Sequence, residues 1–180
     1  MAEPKHYNPA FDEIVKAVGR VACMYSDVEF HISETIWMLM NVERQIGACL
    51  IAQSVGPGPR FRALRSLLAV REAPDEVIKA TREMGERVGR IAAKRNRVVH
   101  DPWSRDADGS FHRVQITADN KLEFGFEIET VDGLNELYDE IVQVRWDLHQ
   151  LRALILREVP PWPHTRFDSS PGIGSLLGDG

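Results

Sequence analysis

Three polar side chains near the middle of the sequence, Arg95, Asn96 and His100, have the types and spacing that anion chemistry uses. Histidine titrates near neutral pH, so His100 can accept or return a proton under ordinary conditions. Arginine stays protonated and presents paired N–H donors, so Arg95 can hold oxyanions such as phosphate. Asn96 lies one helical turn before His100 on the same face, where its amide can orient the imidazole or bind an oxygen. Asp101 follows directly and could steer the ring; Trp103 offers a flat surface for stacking. A structural alternative stands beside this one: His100 and Asn96 could cap the last carbonyls of a helix.

These residues must be positioned by a helix running from Pro74-Asp75-Glu76, whose acidic side chains suit an N-terminal dipole, to about His100. Asp101 precedes Pro102, and the proline ring disfavours α geometry there. Projected at about 100° per residue, Met84, Val88, Ile91, Val98 and Val99 form one apolar stripe. Gly85, Gly89 and Ala92 run beside it and lead to Asn96 and His100. This line of small residues predicts a close helix–helix seam, within the bundle or between subunits. Arg95 projects into the apolar stripe itself, about 140° from His100. A buried guanidinium needs a partner. Glu29 interrupts the stripe of the first helix in the same way, flanked by Tyr25 and Ile32, which predicts a Glu29–Arg95 ion pair.

The rest of the chain supplies the framework. Asn8-Pro9 is a good helix start. Phe11, Ile14, Val18, Val21, Tyr25, Val28, Ile32, Ile36 and Leu39 then recur at three and four residues, the stripe of a long amphipathic helix. A second helix is expected over about Val42–Ser54, stopped by Gly56-Pro57-Gly58-Pro59, and a short third one around Phe61, Leu64, Leu67 and Leu68. The period then changes to two. Leu122, Phe124, Phe126 and Ile128 alternate with polar residues or glycine as in a strand with one buried face, and Val114 and Ile116 mark its partner, with Asp119-Asn120 in the turn. Asp132 can cap a last helix whose stripe runs Leu134, Leu137, Ile141, Val144, Leu148, Leu151 and Ile155. The expected fold is mainly α, a bundle of four to five helices with a β-hairpin inserted at about 111–129. One domain spans 8–158, and an extended or disordered tail covers 159–180, rich in proline, glycine and serine.

Composition bounds the function. The 43% apolar and 27% charged residues are ordinary for a globular domain. A net charge of −5 argues against a broad grip on phosphate backbones. The cations Lys79, Arg82, Arg87, Arg90, Lys94, Arg95 and Arg97 nevertheless outnumber Glu83 and Glu86 in one stretch, which leaves room for a local anionic ligand. Apolar runs are too short to span a bilayer, and no signal-peptide pattern opens the chain, so a cytoplasmic protein without a membrane partner is expected. Cys23 and Cys49 fall inside helical patterns with apolar neighbours, which predicts two buried, reduced thiols. His6, His31, His112, His149 and His164 show no metal-ligand spacing. Neither a glycine-rich phosphate loop nor a nucleophile elbow occurs, so neither metal nor cofactor is expected.

The run Lys94-Arg95-Asn96-Arg97-Val98-Val99-His100-Asp101-Pro102-Trp103 resembles the signature of the HEPN superfamily of helical ribonucleases: an arginine, usually a polar residue such as asparagine after it, and a histidine after four to six intervening residues. The resemblance implies a bundle of four to five helices that dimerises so that two motifs face one cleft. Its implied chemistry is RNA cleavage without metal, in which the 2′-hydroxyl attacks the adjacent phosphate. Arg95, Asn96 and His100 would be its catalytic residues, with Glu29, Asp101 and Trp103 in support. A homodimer, an RNA substrate and an antitoxin protein partner go with it, since many such proteins are toxins or RNA-cleaving parts of defence systems. Arg105 to His112 and Arg157 to His164 also satisfy the spacing, but neither has the asparagine or the end of a long core helix. The competing expectation is a non-catalytic helical dimerisation or interaction module.

Overall fold

The computed structural model describes residues 9–106, 109–118 and 122–160. The expected Asn8 cap, the Asp119-Asn120 turn and the tail beyond Pro160 lie outside the described residues. Within them run α1 (Pro9–Met40), α2 (Arg44–Ile51), α3 (Pro57–Val70), α4 (Asp75–His100), β1 (Trp103–Arg105), β2 (Phe111–Ala118), β3 (Leu122–Ile128) and α5 (Val131–Glu158). The protein is thus a mainly helical bundle carrying a small antiparallel sheet, as the change of period predicts. The Gly56–Pro59 stretch both breaks the chain and starts α3, because proline at the first helical position sacrifices no hydrogen bond. The last helix is capped by Thr130, whose hydroxyl accepts from the Gly133 N–H at 3.0 Å, and not by Asp132, which sits in the first turn.

Helix α1 is the hub, packing on α5, α3, α2 and α4. Its stripe is buried from Ile14 to Leu39 and meets Leu134, Ile141, Val144, Leu151 and Ile155 of α5 and Val88 and Ile91 of α4 in one core. A polar seam fastens α1 to α5. Asp27 pairs with Arg145, and Glu34 with Arg152 at 3.1 Å and with Arg44. Between these pairs the His31 ring sits 4.2 Å from that of His149, its nitrogens 3.5 Å from Asp27 and 3.6 Å from Glu34. The two cysteines depart from expectation: Cys23 and Cys49 are both exposed. Apolar sequence neighbours do not fix a helical azimuth, and Cys23 projects about 170° from the centre of the α1 stripe.

The sheet, ordered β1-β2-β3, has one more strand than the expected hairpin. It also faces the other way. Register opposes Val114 to Phe126 and Ile116 to Phe124, placing the apolar side chains together on one face. That face is turned to water, and the opposite one, with Arg113, Gln115, Glu127 and Glu129, lines a cleft of about 620 Å³ against α4 and α5.

The line of small residues on α4 has two different environments. A Cβ at Gly85 would lie 2.9 Å from Cγ of Phe61, so this glycine lets α3 close on α4, whereas a Cβ at Gly89 would meet nothing within 4 Å. Gly85→Val should therefore cost about 2 kcal/mol through overpacking, and Gly89→Ala should add about 0.5–1 kcal/mol through helix propensity. Denaturant unfolding of the two variants, giving shifts of the same sign, would contradict this packing. At the polar seam, burial holds the His149 imidazole below the usual histidine range, the neighbouring His31, Arg145 and Arg152 lower it further, and Asp27 opposes them. The unfolded chain takes up this proton near pH 6.5 and the folded one only at lower pH. Stability from this group is complete above that value and falls as pH drops through the window beneath it. The loss of stability between pH 7 and 5.5 should be smaller in His149→Gln than in the unmodified protein.

Candidate active site at the end of α4

Helix α4 stops where the Asp101-Pro102 step requires. Asp101 is extended (φ −69°, ψ 141°), and its N–H still donates to the Arg97 carbonyl. The chain then turns into β1, and the Trp103 indole N–H donates back to the Val98 carbonyl at 3.1 Å. This satisfies one of the carbonyls that a helix end leaves unpaired. Trp103 is partly buried against the core. Its ring therefore serves the helix end and does not stand open as the stacking surface expected of it. The Asp101 carboxylate is also committed, lying 3.2 Å from Arg113 Nη1 and 3.6 Å from Arg97 Nη1. Steering of His100 is thus not what occupies Asp101. Its interactions join the end of α4 to β2.

Arg95 lies partly buried above the Tyr25 ring of α1, with its guanidinium carbon 5.4 Å from the ring centre. Its Nη1 donates to Asn96 Oδ1 at 3.0 Å, while Nε is buried without a hydrogen-bond partner. The ion pair expected between Arg95 and Glu29 is replaced by two other contacts. Glu29 Oε1 is 3.7 Å from Arg60 Nη1, and the same Arg60 nitrogen donates to the Glu29 carbonyl at 3.3 Å. Arg60 comes from the first turn of α3, and no periodicity in α1 or α4 could reveal its reach. Arg95 keeps its charge in the interior by resting on an aromatic face, an attraction of about 0.5–2 kcal/mol depending on solvation. Tyr25 is the residue that sequence reasoning undervalued. It stood next to Glu29 on the same face, a signal that an aromatic could receive the arginine.

The phenol of Tyr25 is itself buried without a hydrogen bond. Burial pushes its pKa up to about 12, the Glu29 carboxylate adds to the rise, and Arg95 and Arg60 oppose it. Tyr25, Glu29, Arg60 and Arg95 therefore form one polar group inside the junction of α1, α3 and α4. Its outward arm is the bond from Arg95 to Asn96.

Asn96 and His100 are exposed on the outer face of α4, together with Ala93. His100 makes no hydrogen bond or ion pair among the described residues, so its ring is open to solvent and to ligands. The helix projection separates Arg95 from His100 by about 140°, and Asn96, which lies between them in azimuth, accepts from Arg95 Nη1. By contrast, the second spacing match, Arg105 to His112, falls on adjacent strands. Arg105 opposes Phe111, and its guanidinium lies over that ring, while His112 is buried beside Phe126 and Asp106. That pair shares no face. Chemically, the end of α4 offers an exposed amide and a free imidazole, with a half-buried guanidinium bonded to the amide. Such a set can bind an oxyanion and move a proton.

The buried phenol makes a distinct prediction. A folded-state pKa above the unfolded value near 10 means that the folded chain retains a proton which the unfolded chain releases. Stability from this group is complete below pH 10 and declines as pH rises toward 12. Tyr25→Phe retains the ring under Arg95, so it should unfold within about 1 kcal/mol of the unmodified protein at pH 7, with a shallower alkaline decline. A sharp loss at neutral pH would mean that the hydroxyl is bonded.

No protein-family model matches the chain, and no significantly similar curated protein or solved structure was found.

Proposed function

We propose that this protein is a metal-independent endoribonuclease of HEPN type, acting at a site shared by two copies. The observation that carries the proposal is the reach of Arg95 toward Asn96 on the exposed face that ends in the unpartnered imidazole of His100. In the reaction, the 2′-oxygen of the RNA attacks the adjacent phosphorus and the bond to the 5′-oxygen breaks. One end of the cut becomes a 2′,3′-cyclic phosphate, the other a 5′-hydroxyl. One histidine removes the 2′-hydroxyl proton and a protonated histidine, its counterpart in the second copy, supplies a proton to the leaving oxygen. Arg95 balances the charge that builds on the phosphorane, and Asn96 positions that guanidinium. A toxin or defence role with an antitoxin partner belongs to the same proposal. The open flank at Gly89, where nothing lies within 4 Å of an added Cβ, supports a second helix meeting α4 there.

The second reading, a helical dimerisation or interaction module without catalysis, is favoured by the commitment of Arg95 to Tyr25 and of Asp101 to Arg113. It needs no chemistry from His100.

The test uses total RNA with purified protein in excess chelator. Cleavage should persist and leave cyclic-phosphate ends. Arg95→Ala and His100→Ala, folded by circular dichroism, should each lower the rate by about 100-fold or more. Intact RNA with well-folded protein, or equal rates in the two variants and the parent, would leave the interaction module as the function.

A further inference from the structure

The outer face of the sheet is the least explained surface of the molecule. Ile116, Leu122, Phe124, Phe126 and Ile128 are 47–74% exposed although they alternate as a buried strand face does. They form a patch, because register sets Ile116 opposite Phe124 and Val114 opposite Phe126, with Leu122 and Ile128 at either end. None of these side chains is charged. The Arg113 ion group is on the inner face, where it meets Asp101, Glu127 and Glu129, while on the outer face His112, opposite Ile128, is buried against Phe126 with Asp106 3.3 Å away. The orientation is therefore fixed from inside: turning the apolar face inward would expel a guanidinium and its three carboxylates from their mutual contacts.

We infer that this face is a self-association surface, covered by the same face of a second copy of this chain. Two observations select that occupant. The first is area. The five residues together expose on the order of 600 Å², backbone included, the upper end of what a monomer leaves to water in one patch and a large part of the roughly 800 Å² per partner in a standard interface. The second is neutrality. In a two-fold interface each residue near the axis meets its own mate, so a charged face repels itself while an uncharged one does not. Edge strand β3 also lies free along this face among the described residues, so a mate could extend the sheet as well as cover it. The inference is independent of RNA chemistry and concerns a different face from the outer side of α4.

Light scattering at tens of micromolar protein reads the outcome without RNA, and the sheet variants separate this face from the α4 seam of the ribonuclease proposal, because a dimer built on α4 alone would keep its mass in them. The unmodified protein should have a mass of at least two 20.4 kDa chains. Phe124→Lys with Ile128→Lys, which places like charges across the two-fold axis, should halve that mass with the helical spectrum unchanged. Phe124→Thr with Ile128→Thr, milder for the strand, should weaken association at least tenfold. Hydrogen exchange on the unmodified protein needs no variant: amides of residues 122–128 should become more protected as concentration rises. A single-chain mass, folded variants that keep the parent mass, or protection of β3 that ignores concentration would each overturn the inference. Protection that appears only on adding membranes or another protein would assign the face to that partner instead.

Discussion

Burying the Arg113 guanidinium, which leaves the residue 6% exposed, removes a permanent charge from water, and the chain meets that cost with carboxylates from three directions. Asp101 arrives from the end of α4, and Glu127 and Glu129 arrive from β3. One side chain on β2 thereby fastens the last turn of α4, the central strand and the edge strand to each other. The position of His100 depends on this. The helix must stop at Pro102, and Asp101 can reach Arg113 only if the stop comes there, so the backbone that carries His100 is fixed on the rim of the bundle. The indole of Trp103, tied to the Val98 carbonyl, reinforces the same corner.

The same ion group decides which way the sheet faces. Its polar side lies over Lys94, Arg97 and Glu140, where charges can pair across the cleft, as Lys94 and Glu140 do at 2.8 Å. Placing the aromatic side there instead would strand those charges. The bundle and the sheet therefore make different bargains with solvent. Helices bury their stripes on one another, while the sheet attaches through the Arg113 ion group and the packed rings of Trp103 and Phe111 and leaves the hydrocarbon of β3 outward. At the other end of the site, Arg95 rests a half-buried cation on the face of Tyr25 with no carboxylate in contact among the described residues.

What could be read from the sequence follows from how local each determinant is. The helices were legible because a repeat of three and four residues needs no knowledge of the partner, and the end of α4 because Pro102 acts on its neighbour. Strand β1 was not, since three residues without alternation become a strand only by pairing with β2. The alternation in β3 revealed two unlike faces but not which one meets the bundle, and that depends on Arg113, nine or more residues away. Of the candidate site, Arg95, Asn96 and His100 could be placed on α4, and Arg95 correctly in the apolar stripe. Its partner was misjudged because Arg60, thirty-one residues from Glu29, takes that carboxylate. Cys23 is exposed because its position on α1 projects opposite the core.

The dominance of the α1–α5 interface carries a consequence for how the protein is made. During synthesis, the apolar stripe of α1 leaves the ribosome well before the residues that cover it, because α5 begins at Val131. At ordinary elongation rates that interval is on the order of ten seconds. For that time a thirty-two-residue amphipathic helix has only α2, α3 and α4 to shelter its greasy side. Nascent chains of this design are candidates for holdase chaperones, and stalling before the last helix would leave a sticky, incomplete product.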